Sequence, residues 1–251
     1  MPDWSARGQR GRRRLGLLLE VCVDDARGLA EAVAGGADRI ELCAALSVGG
    51  LTPSPGLMVR AARCGVPVMA MIRPRTGDFV YDADEVAVMQ ADIRAARAAG
   101  LSGVVLGASV PDGRLDRGVL AALVTVATGL DLTLHRAVDL CPDVDVAVEM
   151  AIALGFQRIL TSGGALRAVE GMARLRRMIT VAAGRIGIMP GSGVSVATWA
   201  ILRDLAVSEV HASCAMAWPV GGQALAFGFQ MPGEKRTDRR EVAALKAALA
   251  G

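Results

Sequence analysis

The chain has 251 residues, 53% of them hydrophobic and only 3% aromatic. That length holds one large α/β domain or two small ones, and the apolar fraction suffices for a sizeable core without cross-links. The net charge of +3 comes from residues 1–14, which carry five Arg and one Asp, so the remainder sums to about −1; this removes the electrostatic case for nucleic acid as a partner.

Residues 1–14, MPDWSARGQRGRRR, lack hydrophobic periodicity. They read as a disordered basic tail, or an over-extended start, ahead of a domain spanning 15–251. The apolar run LGLLL that follows stops after five residues at Glu20, short of the ~7–15 residues of a signal-peptide core. No stretch approaches the ~20 apolar residues of a membrane span. The expected location is cytoplasmic. Five cysteines at 22, 43, 64, 141 and 214, with no CxxC, fit reduced thiols rather than a disulfide framework.

Short apolar runs then alternate with helical patterns. In chain order the runs are LLLEVCV, RIELC, VPVMAMIR, GVVLG, DLTLH, RILTS, GIMPG and EVHAS. Between the third and fourth, DADEVAVMQADIRAARAAG places Val86, Met89, Ile93 and Ala96 at helical spacing. Glycine closes most helices just before the next strand, as in GGADRI, AAGLSGVV, LGFQRI and AAGRIGI, a repeated C-cap signal. Eight βα units with strands too apolar for an open face predict a single (β/α)8 barrel of the TIM type. A doubly wound open sheet is the alternative, and its glycine-rich first turn is missing from VCVDDARG.

In such a barrel, chemistry sits at the C-terminal strand ends. These ends supply Glu20 and Cys22, Glu41 and Cys43, Arg73 and Arg75, His135 and Arg136, Thr161 and Ser162, Ser192, and His211 and Ser213. The chain's two histidines are both among them. Alternation puts Glu20 with Cys22, and Glu41 with Cys43, on one face of their strands. A carboxylate pressed against the helix layer would lose its hydration unpaired, so both pairs are expected to face the barrel interior. Neighbouring strands lie ~4.8 Å apart, which lets two thiolates share one soft ion, Cu(I) before Zn(II). Equally, both cysteines suit plain buried packing.

GIMPGSGV leads from the seventh strand into VSVATWAILRDL. Gly191, Ser192 and Gly193 there are candidates for an anion cradle at a helix N-terminus, joined by Ser213 after the eighth strand; a tight turn would need the same glycines. Arg73 and Arg75 in IRPRTGDF suit bidentate anion binding, or an internal salt bridge to Glu20 or Glu41. Both lysines, Lys235 and Lys246, follow the last strand, so a Schiff-base mechanism with a strand lysine is excluded. Carbon chemistry would have to use His135 or His211 with Glu20 or Glu41 as acid and base.

LLLEVCVDD, GGADRIELCAALSVGGLTPS, IRPRTGDFVY, LTLHRAVD, RILTSGG, GIMPGSGV and EVHAS, in that order from about Leu17 to Ser213, resemble the CutC copper homeostasis family. The resemblance implies a (β/α)8 barrel, a homodimer, a cytoplasmic location and a link to copper. It also implies Cu(I) as the bound metal, with Cys22 and Cys43 matching the family's proposed ligands. Two functions stand side by side: a Cu(I)-binding homeostasis protein, and a barrel lyase or isomerase acting on a small phosphorylated or carboxylated molecule.

Overall fold

Eight runs of four to six residues pair in parallel, in the order β7-β6-β5-β4-β3-β2-β1-β8. The computed structural model describes residues 17–251; the expected basic tail at 1–14 lies outside the described residues. In chain order the elements are β1 (Leu18–Val23), α1 (Ala26–Ala34), β2 (Arg39–Leu42), α2 (Pro55–Ala61), β3 (Val68–Met71), α3 (Ala83–Ala98), β4 (Gly103–Leu106) and α4 (Arg117–Val126). They continue with β5 (Asp131–Leu134), α5 (Val144–Ala153), β6 (Arg158–Thr161), α6 (Met172–Ala182), β7 (Gly187–Pro190), α7 (Val196–Leu202) and β8 (Glu209–Ala212). β7 lies against β8 without a regular ladder, which closes the sheet. The expected (β/α)8 barrel is the fold.

Local rules set the helix limits. Asp or Ser caps the N-terminus of seven helices, accepting an otherwise unpaired N–H. At α3 the cap is reciprocal: Asp82 takes the Glu85 N–H at 2.8 Å and Glu85 takes the Asp82 N–H at 3.0 Å. The same helix ends at Gly100 with φ +83°. There the Leu101 N–H reaches back to the Ala96 carbonyl at 3.1 Å, a geometry that glycine adopts without strain.

Strand parity divides the core in two. Leu19, Val21, Val23, Ile40, Leu42, Val104 and Leu106 pack outward against helix residues such as Leu29, Met89 and Ile93. The other parity faces inward and is largely polar: Glu20, Arg39, Glu41, Asp131, Thr133, Arg158, Glu209 and His211. The deeper of these form an ionic floor. Arg39 bonds Glu20 through Nε and Glu209 through Nη2 at 2.6 Å; Arg158 lies 3.2 Å from Glu209 and bonds Asp131 at 2.8 Å. Gly187 makes room, because a Cβ there would stand 2.7 Å from the Glu209 carboxylate.

Between β8 and the closing helix α9 (Arg239–Ala250) the chain makes an excursion that the βα repeat did not announce. It contains β9 (Ala215–Ala217), the short α8 (Gly222–Ala226) and β10 (Lys235–Thr237), with β9 and β10 antiparallel. Trp218 lies between Arg27 and Arg236, each 4.4 Å from its ring. No helix among the described residues is long and apolar enough to cross a membrane.

Candidate functional site at the barrel mouth

Above the ionic floor the barrel opens into a cavity of ≈300 Å³. Its wall includes Cys22, Glu41, Arg73, His135, His211 and the turn Ser192–Val194. Strand registry explains half of this. Cys22 pairs across to Glu41, and Glu20 pairs to His211 on the other side, so an acid, a thiol and an imidazole from three adjacent strands point inward together.

Glu20 is fully buried and anchors the set. Its Oε1 meets His211 Nδ1 at 2.9 Å while Oε2 receives Arg39. Burial works to raise its pKa, but the His211 hydrogen bond and the Arg39 charge prevail and hold it at about 2. Glu20 is therefore ionised and His211 donates to it. His211 Nε2 then faces Glu41 Oε2 at 3.6 Å. Burial disfavours a charged ring, yet the carboxylate of Glu41 and the thiol of Cys22 lift His211 well above the ordinary histidine value.

Glu41 shifts the other way from Glu20. Burial raises its pKa, and although His211 opposes, the nearby Glu20 charge adds to the rise. Its Oε1 has no hydrogen-bond partner among the described residues. The Cys43 thiol donates to its Oε2 at 3.6 Å. Cys43 is wholly buried among Met69, Met71 and Val105, and burial together with the Glu41 charge pushes its thiol well above the usual range.

The thiol of Cys22, a Glu41 oxygen and a His211 nitrogen all lie within 4.8 Å of one another. Bonds of ~2.0–2.3 Å to a common ion bring ligand atoms to separations of this order after a small closure. The donor set is one soft sulfur, one imidazole and one carboxylate, so it fits a borderline or soft metal. Cys22 and Cys43 both face inward, but the group gathered around Cys22 is Glu41 and His211, and Cys43 stands behind Glu41.

Three sequence expectations need correction. Arg73 and Arg75 form no salt bridge with Glu20 or Glu41; Arg39, two residues before Glu41, fills that role. Arg75 does not reach the cavity, because Glu85 and Asp78 pair with it outside. The expected cradle at Gly191–Gly193 is not at a helix N-terminus. The Gly191 N–H goes to the Thr161 carbonyl at 2.9 Å, and α7 begins later, capped by Ser195 and Thr198. Ser192 and Gly193 still line the cavity with Ser213, and Ser192 Oγ donates to the Leu166 carbonyl at 2.6 Å.

Residues absent from the sequence reading complete the site. Arg39, Asp131, Arg158 and Glu209 share strand parity with Glu41, His135, Leu160 and His211, so the alternation rule, carried to the strand starts, would have found them. Asp139 had no such signal. It accepts from Thr161 Oγ1 at 2.6 Å, from the Ser162 N–H at 3.1 Å and from the Gly164 N–H at 3.0 Å, and it pairs with Arg136 at 2.8 Å. One carboxylate thus ties the loops after β5 and β6.

Fold and site together define a parallel (β/α)8 barrel protein with a buried thiol–imidazole–carboxylate cluster at its mouth. The profile of the CutC family matches residues 17–216, and the chain belongs to that family. A family protein CutC from Sinorhizobium medicae is 57% identical over 235 residues, covering 93% of this chain and 96% of the relative. One from Caulobacter vibrioides is 50% identical over 238 residues, covering 92% and 96%. A crystal structure from Streptococcus agalactiae, described as a proposed copper homeostasis protein CutC, is 32% identical with a TM-score of 0.75, covering 78% of this chain and 98% of that one. Thiamine phosphate pyrophosphorylase from Pyrococcus furiosus shares the fold alone, at 13% identity and a TM-score of 0.58, covering 93% of this chain and 95% of that one.

Proposed function

We propose that the protein is a copper homeostasis protein that binds Cu(I) at the mouth of its barrel. The observation that carries this reading is the convergence of Cys22, Glu41 and His211 within 4.8 Å. Sulfur and imidazole are the donors Cu(I) prefers, and the carboxylate is the weaker third. Glu20 orients the imidazole from behind, as partners of metal-bound histidines commonly do. Cys43 reaches the site through Glu41, with its thiol kept protonated by burial. The description of the Streptococcus agalactiae relative supports the same reading. Titration against a competing Cu(I) chelator under reducing conditions tests it. Cys22→Ser should abolish 1:1 binding, His211→Asn should weaken it at least ~10-fold, and Cys64→Ser should leave it unchanged. Undiminished binding by Cys22→Ser would refute the site.

One observation favours a second reading, a lyase or isomerase. His211 is held by Glu20 at Nδ1 and presents Nε2 toward the cavity at 3.6 Å from Glu41, which is how an acid–base pair is arranged. Release of a proton from a bound small molecule into solvent deuterium, with and without His211→Asn, tests that reading.

A further inference from the structure

A buried cation without a counter-ion among the described residues lies in the cavity wall just past β3, the strand beside β2. Arg73 is 6% exposed. Its hydrogen bonds go to the carbonyl oxygens of Val48 at 2.9 Å, Gly50 at 3.1 Å and Gly77 at 2.9 Å. Among the described residues it forms no ion pair, and its Nε has no acceptor. The Phe79 ring, 5.2 Å from the guanidinium, eases the charge without neutralising it.

Beside Arg73, His135 is 3% exposed and forms part of the same wall. Its Nδ1 accepts the Ala137 N–H at 3.1 Å. A neutral ring so engaged carries its proton on Nε2, and Nε2 has no partner among the described residues. Burial and the Arg73 charge hold His135 at about 3, so the ring stays a neutral donor at physiological pH. The other charges around the cavity are matched: Arg136 by Asp139 at 2.8 Å and His211 by Glu20 at 2.9 Å. One full positive charge and two N–H donors without an acceptor among the described residues are left on two residues that line the same cavity.

Buried charges are ordinarily paired, because an unpaired one loses its hydration uncompensated. We infer that the wall formed by Arg73 and His135 binds the anionic end of a small metabolite, a carboxylate or a phosphate, whose remainder extends toward Cys22, Glu41 and His211. The cavity of ≈300 Å³ stands at the small end of the ~300–1,000 Å³ usual for ligand pockets, which suits a molecule of a few carbons rather than a nucleotide. The inference names a substrate class for the lyase or isomerase reading and rests on that reading only in calling the ligand a substrate.

Thermal melts of the full chain test it, with inorganic phosphate, malonate or 2-phosphoglycolate as probes. Sodium chloride at matched ionic strength and neutral malonamide serve as controls. At least one anion should raise the midpoint saturably, by on the order of 5–10 °C at ~100 times its Kd, and Cys64→Ser, outside the cavity lining, should leave that shift in place. Arg73→Met should remove it. Because Arg73 also ties the carbonyls of two loops, His135→Leu provides an independent variant that spares those bonds. It should weaken the anion roughly 10-fold. A midpoint that no anion moves beyond sodium chloride, or an anion shift identical in parent, Arg73→Met and His135→Leu proteins, would overturn the inference. An anion that binds as described yet is recovered unchanged, with no exchange of its protons, supports the inference and removes only the enzyme reading.

Discussion

LLEVCV on β1 and RIELC on β2 with its following residue carry the same acid–x–thiol pattern on the same face of adjacent strands, yet the two pairs end in opposite states. Glu20 is gripped by Arg39 and His211 and held at about 2. Glu41, one strand away, keeps one oxygen without a partner among the described residues and titrates above its ordinary value. The thiols differ in the same sense. Cys22 borders the cavity beside His211, whereas Cys43 is sealed among Met69, Met71 and Val105. Strand parity decides which way a side chain points; the residues across the barrel decide its charge.

The largest test of that contrast removes each carboxylate in turn. Glu20→Gln leaves Arg39 and His211 short of a buried partner and should cost about 3–5 kcal/mol in denaturant unfolding. Glu41→Gln should be near neutral or stabilising at pH 7. The pH dependence carries opposite signs. Glu20 has a depressed folded pKa, so its stabilisation is complete above the unfolded value of 4.5 and is lost as pH falls toward about 2. Glu41 has a raised one, so its contribution is complete below 4.5 and is lost as pH rises through the folded value. Equal destabilisation by the two substitutions would mean that the carboxylates are equivalent after all.

Much of this was legible before any coordinates. Eight βα units, the helix at Ala83–Ala98 and the inward parity of both acid–thiol pairs all follow from periods of 2 and 3.6 residues. What the sequence could not reveal is partnership between residues remote in the chain. Arg39 and Arg73 both lie at the ends of barrel strands, and local spacing does not tell which one crosses to Glu20. The answer depends on depth. Arg39 starts β2 and lies beside Glu20 in the register, whereas Arg73 follows β3 at the rim and is absorbed by loop carbonyls. Gly191 failed as an anion donor for a related reason. Its N–H belongs to the β6–β7 interaction with Thr161, a contact set by the parallel register of those two strands.

A smaller effect separates the thiols by reactivity. At pH 8, iodoacetamide should alkylate Cys22 on the order of 10-fold faster or more than Cys43, as read from the masses of the modified peptides, since the thiolate is the nucleophile and Cys43 is sealed and held protonated. Adding one equivalent of Cu(I) should protect Cys22. Comparable rates at the two positions would show that the Cys43 pocket opens readily.

The smallest effect concerns stability and reverses the ranking of the thiols. Cys43 fills a pocket so close that a Cβ on Gly50 would stand 3.0 Å from its sulfur. Cys43→Ala empties that space and removes the only thiol donor to Glu41 among the described residues. A modest cavity and one lost weak hydrogen bond together predict about 1–2 kcal/mol. Cys22 borders open cavity volume and makes one long contact, 3.8 Å to the Ala212 carbonyl. Its removal leaves little new void, so Cys22→Ala should stay within ~0.5 kcal/mol of the parent. Paired urea titrations resolve a difference of this size when the slopes agree. If Cys22→Ala proves the more destabilising, Cys22 is a packing residue of the barrel, and the division of labour between the two acid–thiol pairs is the reverse of the one drawn from their burial.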